Sequence, residues 1–224
     1  MDKHQITEII ENFAPLNLAE EWDCSGWVVD VFSKSEINKV LLCLTVTDDI
    51  VRQARENHCE MIISHHPLFF VPLKYSDLNI YCAHTNLDQT KGGTTDTLIK
   101  KLGLACSDFE HPFVRIVKTN TTVSELEQKL RTVSPNLRYV NNKNIIDIKT
   151  IGFCAGSGSE FIDEIDCDAY VTGDLKFHKA IECDKVLFDI GHFESEILVL
   201  DVFKKLLSDK VEIIRAKERS PFIY

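Results

Sequence analysis

The sequence predicts an α/β fold. Short apolar runs of strand length alternate with segments of helical period along the chain. Residues 39–64 read as strand–helix–strand, the unit from which parallel sheets are built. No repeat period or low-complexity tract interrupts the alternation.

Taken in order, residues 3–13 carry Ile6, Ile9, Ile10 and Phe13 at helical spacing, and Pro15 ends the pattern. The apolar run 39–46 is flanked by polar residues and reads as a buried strand. Asp48 is placed to cap the helix DDIVRQARENH. Strands follow at 60–64 and near 79–84, and a helix over 94–102 begins after Gly92-Gly93 and stops at Gly103. The pattern then resets with a strand at 113–119 and the amphipathic helix TVSELEQKLRTV, where Thr122 and Glu125 form a capping box. LRYVNN and IKTIGFCAG read as strands joined by the turn-rich Asn141-Asn142-Lys143-Asn144. The tight loop Gly156-Ser157-Gly158-Ser159 precedes a short helix EFIDEI; it lacks the Lys-Ser/Thr of a phosphate-binding loop and reads as a turn. Strand DAYVTG, helix DLKFHKAIE, strand KVLFDIG, helix ESEILVLDVFKKLLS and strand VEIIRA complete the chain. A boundary near 105–112 gives an α/β region over 1–108 and a second over 109–224, whose C-terminal part is expected to pack back on the first.

Of the 224 residues, 44% are apolar and 27% charged, ordinary values for a globular protein able to bury a sizeable core. No segment approaches the roughly 20 apolar residues of a membrane span. Met1-Asp2-Lys3-His4-Gln5 lacks the apolar centre of a signal peptide, so a cytoplasmic location is expected. A net charge of −10 disfavours binding to nucleic acid or to anionic membranes. None of the eight cysteines forms a CxxC pair, and Cys43, Cys82 and Cys154 sit in apolar stretches as small core residues; reduced thiols are expected.

Four polar segments fall at the ends of predicted strands, where open parallel sheets bind ligands. The first is His65-His66, followed by Pro67, which turns the chain. The second is His84-Thr85-Asn86-Leu87-Asp88, the third Thr172-Gly173-Asp174 with His178, and the fourth Gly191-His192-Phe193-Glu194-Ser195-Glu196. Once a helix begins near His192, Glu196 lies one turn further on the same face. His65, His66, Asp88, His192 and Glu196 together offer three nitrogens and two carboxylates, which suits two metal ions bridged by a carboxylate. Each group also has a plainer reading. Asp88 could cap its loop, Asp174 could cap the helix DLKFHKAIE, His178 could be a half-buried histidine, and Glu194 could be a solvated first-turn carboxylate. His4, His58 and His111 read as surface histidines.

In this order, Ala19-Glu20-Glu21-Trp22-Asp23, CLTVTDDIVRQA, MIISHHPLFF, IYCAHTNLD, VTGDLKFH and GHFESE resemble the motifs of the NIF-three-like family, also labelled GTP cyclohydrolase I type-two homologues. The resemblance covers nearly the whole chain. It implies two linked α/β domains around a dinuclear metal cleft, in the compact form without the domain that many relatives insert mid-chain. It implies His65, His66, Asp88, His192 and Glu196 as ligands of two divalent ions, zinc, manganese or iron, with His84 and His178 beside them. It also implies a homo-oligomer, a toroidal hexamer with its sites facing an inner cavity. Four positions depart from the family pattern: Cys24 and Trp27 in the opening motif, Thr45 in place of an Asp, and Thr95 in place of an Asn.

The function expected is metal-dependent hydrolysis of a cyclic amide, a nucleotide or a phosphoester, with Glu194 or His178 moving protons. The alternative is a non-enzymatic metal-binding scaffold or regulator.

Overall fold

The computed structural model describes residues 1–107 and 111–223. In chain order these form α1 (Lys3–Phe13), β1 (Gly26–Val29), β2 (Lys39–Cys43), α2 (Asp48–Glu56), β3 (Met61–Ser64), β4 (Asn79–Cys82) and α3 (Thr85–Gln89). Next come α4 (Thr94–Lys101), β5 (Arg115–Thr122), α5 (Val123–Arg131), β6 (Arg138–Val140), β7 (Asp147–Phe153), β8 (Ala169–Thr172), α6 (Phe177–Glu182), β9 (Val186–Asp189) and α7 (His192–Glu196). The chain closes with α8 (Leu200–Leu207) and β10 (Glu212–Arg215). It divides into two compact units: Met1–Gly93 with Val199–Arg219, and Thr94–Leu198 with the last described residues. The boundary expected between 108 and 109 lies outside the described residues.

The first unit holds a five-stranded sheet in the order β1-β4-β3-β2-β10. Only β1 is antiparallel; β10, β2, β3 and β4 run in one direction. A parallel strand covered on both faces has no polar side, and β3 and β4 are accordingly buried at every position. Leu41, Ile62 and Ile80 anchor the core, and α2 adds Ile50, Val51 and Ala54 to it. Thr47, not Asp48, caps α2: its side chain accepts from the Ile50 N–H at 3.3 Å. Asp48 falls in the first turn, where the helix dipole favours a carboxylate, and accepts from Tyr75 Oη at 2.5 Å.

The second unit holds a five-stranded sheet in the order β5-β7-β8-β9-β6, with β7, β8 and β9 parallel and both edge strands antiparallel. Leu126, Ile151, Phe153, Val171 and Phe188 lie in its core. The segment 141–144 does not fold β6 back on β7. It carries the chain from the edge strand β6 across the sheet to β7, which lies between β8 and the opposite edge strand β5. The capping box of α5 is formed: Thr122 Oγ1 accepts from the Glu125 N–H at 3.2 Å, and Glu125 Oε2 accepts from the Thr122 N–H at 2.8 Å. Three helices differ from expectation. EFIDEI yields only a 3-10 turn at Ser159–Phe161. The helix expected from 174 starts at Phe177 and leaves Asp174 outside it. The last long helix is divided by a 3-10 turn, Ile197–Val199, which is also where the chain returns to the first unit. Among the described residues, no helix is long and apolar enough to cross a membrane.

Candidate metal sites

Adjacent parallel strands end side by side, so the C-terminal edge of the first sheet collects Thr45 after β2, His65 and His66 after β3, and His84 after β4. The ladder continues briefly past β3: the His65 and His66 N–H groups donate to the Cys43 and Leu44 carbonyls at 3.2 and 2.8 Å. This holds both histidines at the edge. His65 is fully buried, with Nδ1 2.9 Å from the Ala83 carbonyl oxygen. A carbonyl can only accept, so Nδ1 carries the proton and Nε2 the lone pair; Nε2 lies 3.5 Å from Asp88 Oδ1. His66 Nδ1 lies 2.6 Å from Thr45 Oγ1, so the threonine that stands where the family pattern has an Asp still meets the imidazole. His84 Nδ1 lies 2.9 Å from Asp23 Oδ1. The ring centroids of His65, His66 and His84 are 5.2 to 5.8 Å apart. One ring nitrogen of His65, one of His84 and one Asp88 oxygen all lie within 4.8 Å of one another.

The Asp23 side chain is buried and accepts from the Cys24 N–H at 2.7 Å, Ser25 Oγ at 2.7 Å, the Thr85 N–H at 3.1 Å and Thr85 Oγ1 at 2.5 Å, besides His84. Burial alone would raise its pKa, but the hydrogen bonds from His84, Thr85 and Ser25 outweigh it and hold the carboxyl well below the usual range. Glu218, after β10, closes the same edge by accepting from the Leu44 N–H at 2.7 Å, and burial pushes its carboxyl up.

In the second unit, α7 starts directly after β9. Its pitch brings His192 Nε2 to 2.9 Å from Glu196 Oε2. On the other side of the ring, His192 Nδ1 is 2.7 Å from Asp174 Oδ2. Burial disfavours the imidazolium, but Glu196 and Asp174 prevail and raise its pKa to about 9. Gly156 makes room for the carboxylate: a Cβ there would lie 2.0 Å from Glu196 Oε1, and its φ of +69° suits glycine besides. Ser195 Oγ accepts from the Gly156 N–H at 2.9 Å and donates to the His192 carbonyl at 2.7 Å, which ties the loop to the helix. A cavity of about 340 Å³ opens beside His192, lined also by Arg138, Asp174, Lys176 and Asp189. Arg138 spans Asp189 Oδ2 with Nε and Nη2 at 2.9 and 2.8 Å.

Each unit thus brings its own expected residues together: His65, His66 and Asp88 with His84 in the first, His192 with Glu196 in the second. Glu194 is half-buried, with Oε2 buried and lacking a hydrogen-bond partner among the described residues. His178 is exposed on α6, its ring centroid 5.7 Å from that of Phe177, and does not line the cavity. Thr95 bonds to the Ala155 N–H at 3.2 Å, and Cys24 is exposed. Asp23, Thr45, Ser195 and Glu218 went unnoticed as site residues in the sequence. Asp23 had a signal, its place beside Trp22 in the opening motif. Glu218 had none, since 174 residues separate it from Leu44.

The donors suit a divalent cation. Four histidines have Nδ1 against a carbonyl, a hydroxyl or a carboxylate, the arrangement that orients an imidazole for binding through Nε2, and carboxylates stand beside two of them. Such mixed nitrogen and oxygen donors fit zinc, manganese or iron alike.

Two parallel-centred sheets with histidine and carboxylate groups at their strand ends define an α/β protein with candidate metal-binding groups. The chain belongs to the Duf34/NIF3 (NGG1p interacting factor 3) family, whose model matches residues 1–221. It is 34% identical to a Clostridium perfringens protein named GTP cyclohydrolase 1 type 2 homolog, over 99% of each chain. A Campylobacter jejuni protein of the same name is 30% identical over the whole of both. Among solved structures, reduced HcgD from Methanocaldococcus jannaschii superposes with a TM-score of 0.84 at 28% identity, covering 96% of this chain and 97% of that one.

Proposed function

We propose that the protein binds two divalent metal ions per chain and hydrolyses a small molecule: a cyclic amide, a nucleotide or a phosphoester. His65, His66 and Asp88 of the first unit and His192 and Glu196 of the second are the proposed ligands. The observation that carries this reading is the shared posture of the histidines, each with Nδ1 held by a neighbouring oxygen. The names of the relatives support the hydrolytic reading, ring opening of a purine among its forms. Such ions, when bound, activate water and polarise a carbonyl or phosphoryl group. Asp174 accepts from His192 Nδ1, which leaves Nε2 as the nitrogen that would give up its proton and meet an ion. Glu194 is the better placed proton carrier, because its Oε2 has no competing hydrogen bond among the described residues; His178 is the second candidate.

The test is a metal analysis and activity screen against nucleotides, cyclic amides and phosphoesters, with His65→Ala/Glu196→Ala as control. Two ions per wild-type chain are expected, none or one in the double variant, and activity that disappears with a chelator and returns with Mn²⁺, Zn²⁺ or Fe²⁺. Unchanged stoichiometry in the variant would refute the ligand assignment. Ions bound tightly without turnover of any substrate class would favour a scaffold or regulator. We further propose, from the family resemblance, a cytoplasmic toroidal hexamer.

A further inference from the structure

We infer that the cavity beside His192 is a recognition pocket for a phosphate group carried by the substrate, with Arg138 as the residue that reads it. This rests on the hydrolytic reading above and narrows it to molecules that bear a phosphate on a small, ring-sized body.

The cavity lies within the second unit, and its volume of about 340 Å³ falls in the range of small-molecule sites. Its lining comes from the approach to β6 and from the adjacent C-terminal ends of β8 and β9, the edge where parallel sheets take ligands. Charge decides what such a pocket accepts. Two carboxylates line it, but both are engaged. Asp189 is buried, and its oxygens accept from the Gly191 N–H at 3.1 Å, the Leu175 N–H at 3.4 Å and the Arg138 guanidinium. Asp174 Oδ2 meets His192 Nδ1. The Arg138 side chain is 76% exposed, yet its Nε and Nη2 both reach one Asp189 oxygen, which fixes the guanidinium plane. An ion pair this open to water adds little stability, so orientation is what the pair provides. The other edge of the guanidinium, carrying Nη1, makes no hydrogen bond among the described residues. That edge is the paired donor set that matches two oxygens of a phosphate. Ser134 is 4% exposed, lines the same cavity, and its hydroxyl has no hydrogen-bond partner among the described residues. Lys176 adds a second cation, its Nζ 3.3 Å from Glu160 in an exposed and therefore weak pair. Leu175, Ile190 and Phe222 give the pocket an apolar part, so a phosphate on a ring-sized body fits it better than the bare ion. His192 belongs to the same lining, and a molecule held there by its phosphate lies against the residue proposed to ligate metal.

The experiment is calorimetric titration of the full chain, metal-loaded and after chelation, with adenosine monophosphate, a pentose phosphate, inorganic phosphate and adenosine as probes. Arg138→Met keeps the length of the side chain and loses its charge; Arg138→Lys keeps the charge and loses the fork. Arg52→Met, exposed on α2 of the first unit, is the surface control, and circular dichroism checks folding. Wild type is expected to bind adenosine monophosphate about 10–100-fold more tightly than adenosine, with and without metal. Arg138→Met is expected to remove that preference while adenosine affinity and metal content stay unchanged. Arg138→Lys is expected to keep only part of it, and Arg52→Met all of it. A preference that survives in Arg138→Met, or that vanishes on chelation, would put the phosphate elsewhere and overturn the inference. So would wild type that binds the phosphorylated probes no better than adenosine. Metal content and turnover test the hydrolytic reading separately. A chain that takes up no ions but keeps an Arg138-dependent preference refutes that reading and leaves the pocket as a phosphate-binding site.

Discussion

The chemistry of single side chains here is governed by what stands behind them. His192 is the clearest case. Between Glu196 and Asp174 its pKa rises to about 9, although burial pulls the other way. A folded value above the unfolded one of about 6.5 means that its contribution to stability is complete below that pH and is lost as pH rises through about 9. In chelator-treated protein the His192 ring is therefore expected to titrate near 9 by NMR, and Asp174→Asn to lower that value; titration at or below 6.5 would show that the pair does not form. Gly156 makes a second test. Gly156→Ala meets both a left-handed φ and the Glu196 carboxylate, whereas Gly103→Ala, at φ +68° with nothing within 4 Å, meets only the first. The former is expected to cost about 1–3 kcal/mol more in urea denaturation than the latter. Pairs set by local spacing were legible in the sequence, since a helix brings His192 and Glu196 to one face. The partner of His84 was not, because 61 residues separate it from Asp23 and only the tertiary fold joins them.

At the scale of elements, legibility followed how locally each was determined. The α5 capping box is written in four consecutive residues and formed as expected. Thr122→Ala should cost about 1 kcal/mol by chemical denaturation, and a loss below a few tenths would show that the box is idle. Buried strands were legible through their unbroken apolar runs, and the β2–α2–β3 crossover through its alternation. Pairings that depend on distant partners were not. β6, which enters the Asn141–Asn144 turn, lies at the edge away from β7, where Arg138 meets Asp189. α6 starts late because Asp174, a plausible cap by sequence, faces His192 instead. β1 and α3 were missed as elements. β1 is only four residues long, and α3 five residues set in the polar segment that holds Asp88.

For the molecule as a whole, the net charge of −10 argues against sequence-independent affinity for DNA, and no retardation of a duplex is expected at physiological salt. The proposed hexamer should show a light-scattering mass six times the 25.6 kDa chain, and a mass of one chain would overturn it. The first unit is discontinuous: β10, from residues 212–215, pairs with β2, from 39–43. During synthesis, the polypeptide emerges from the ribosome N-terminus first, and Thr94–Leu198 of the second unit is made before β10 exists. Until then β2 presents a bare apolar edge, the kind of surface on which nascent chains stick to one another. The newborn first unit is therefore a natural client for chaperones, and its last strand is the clasp that ends that dependence.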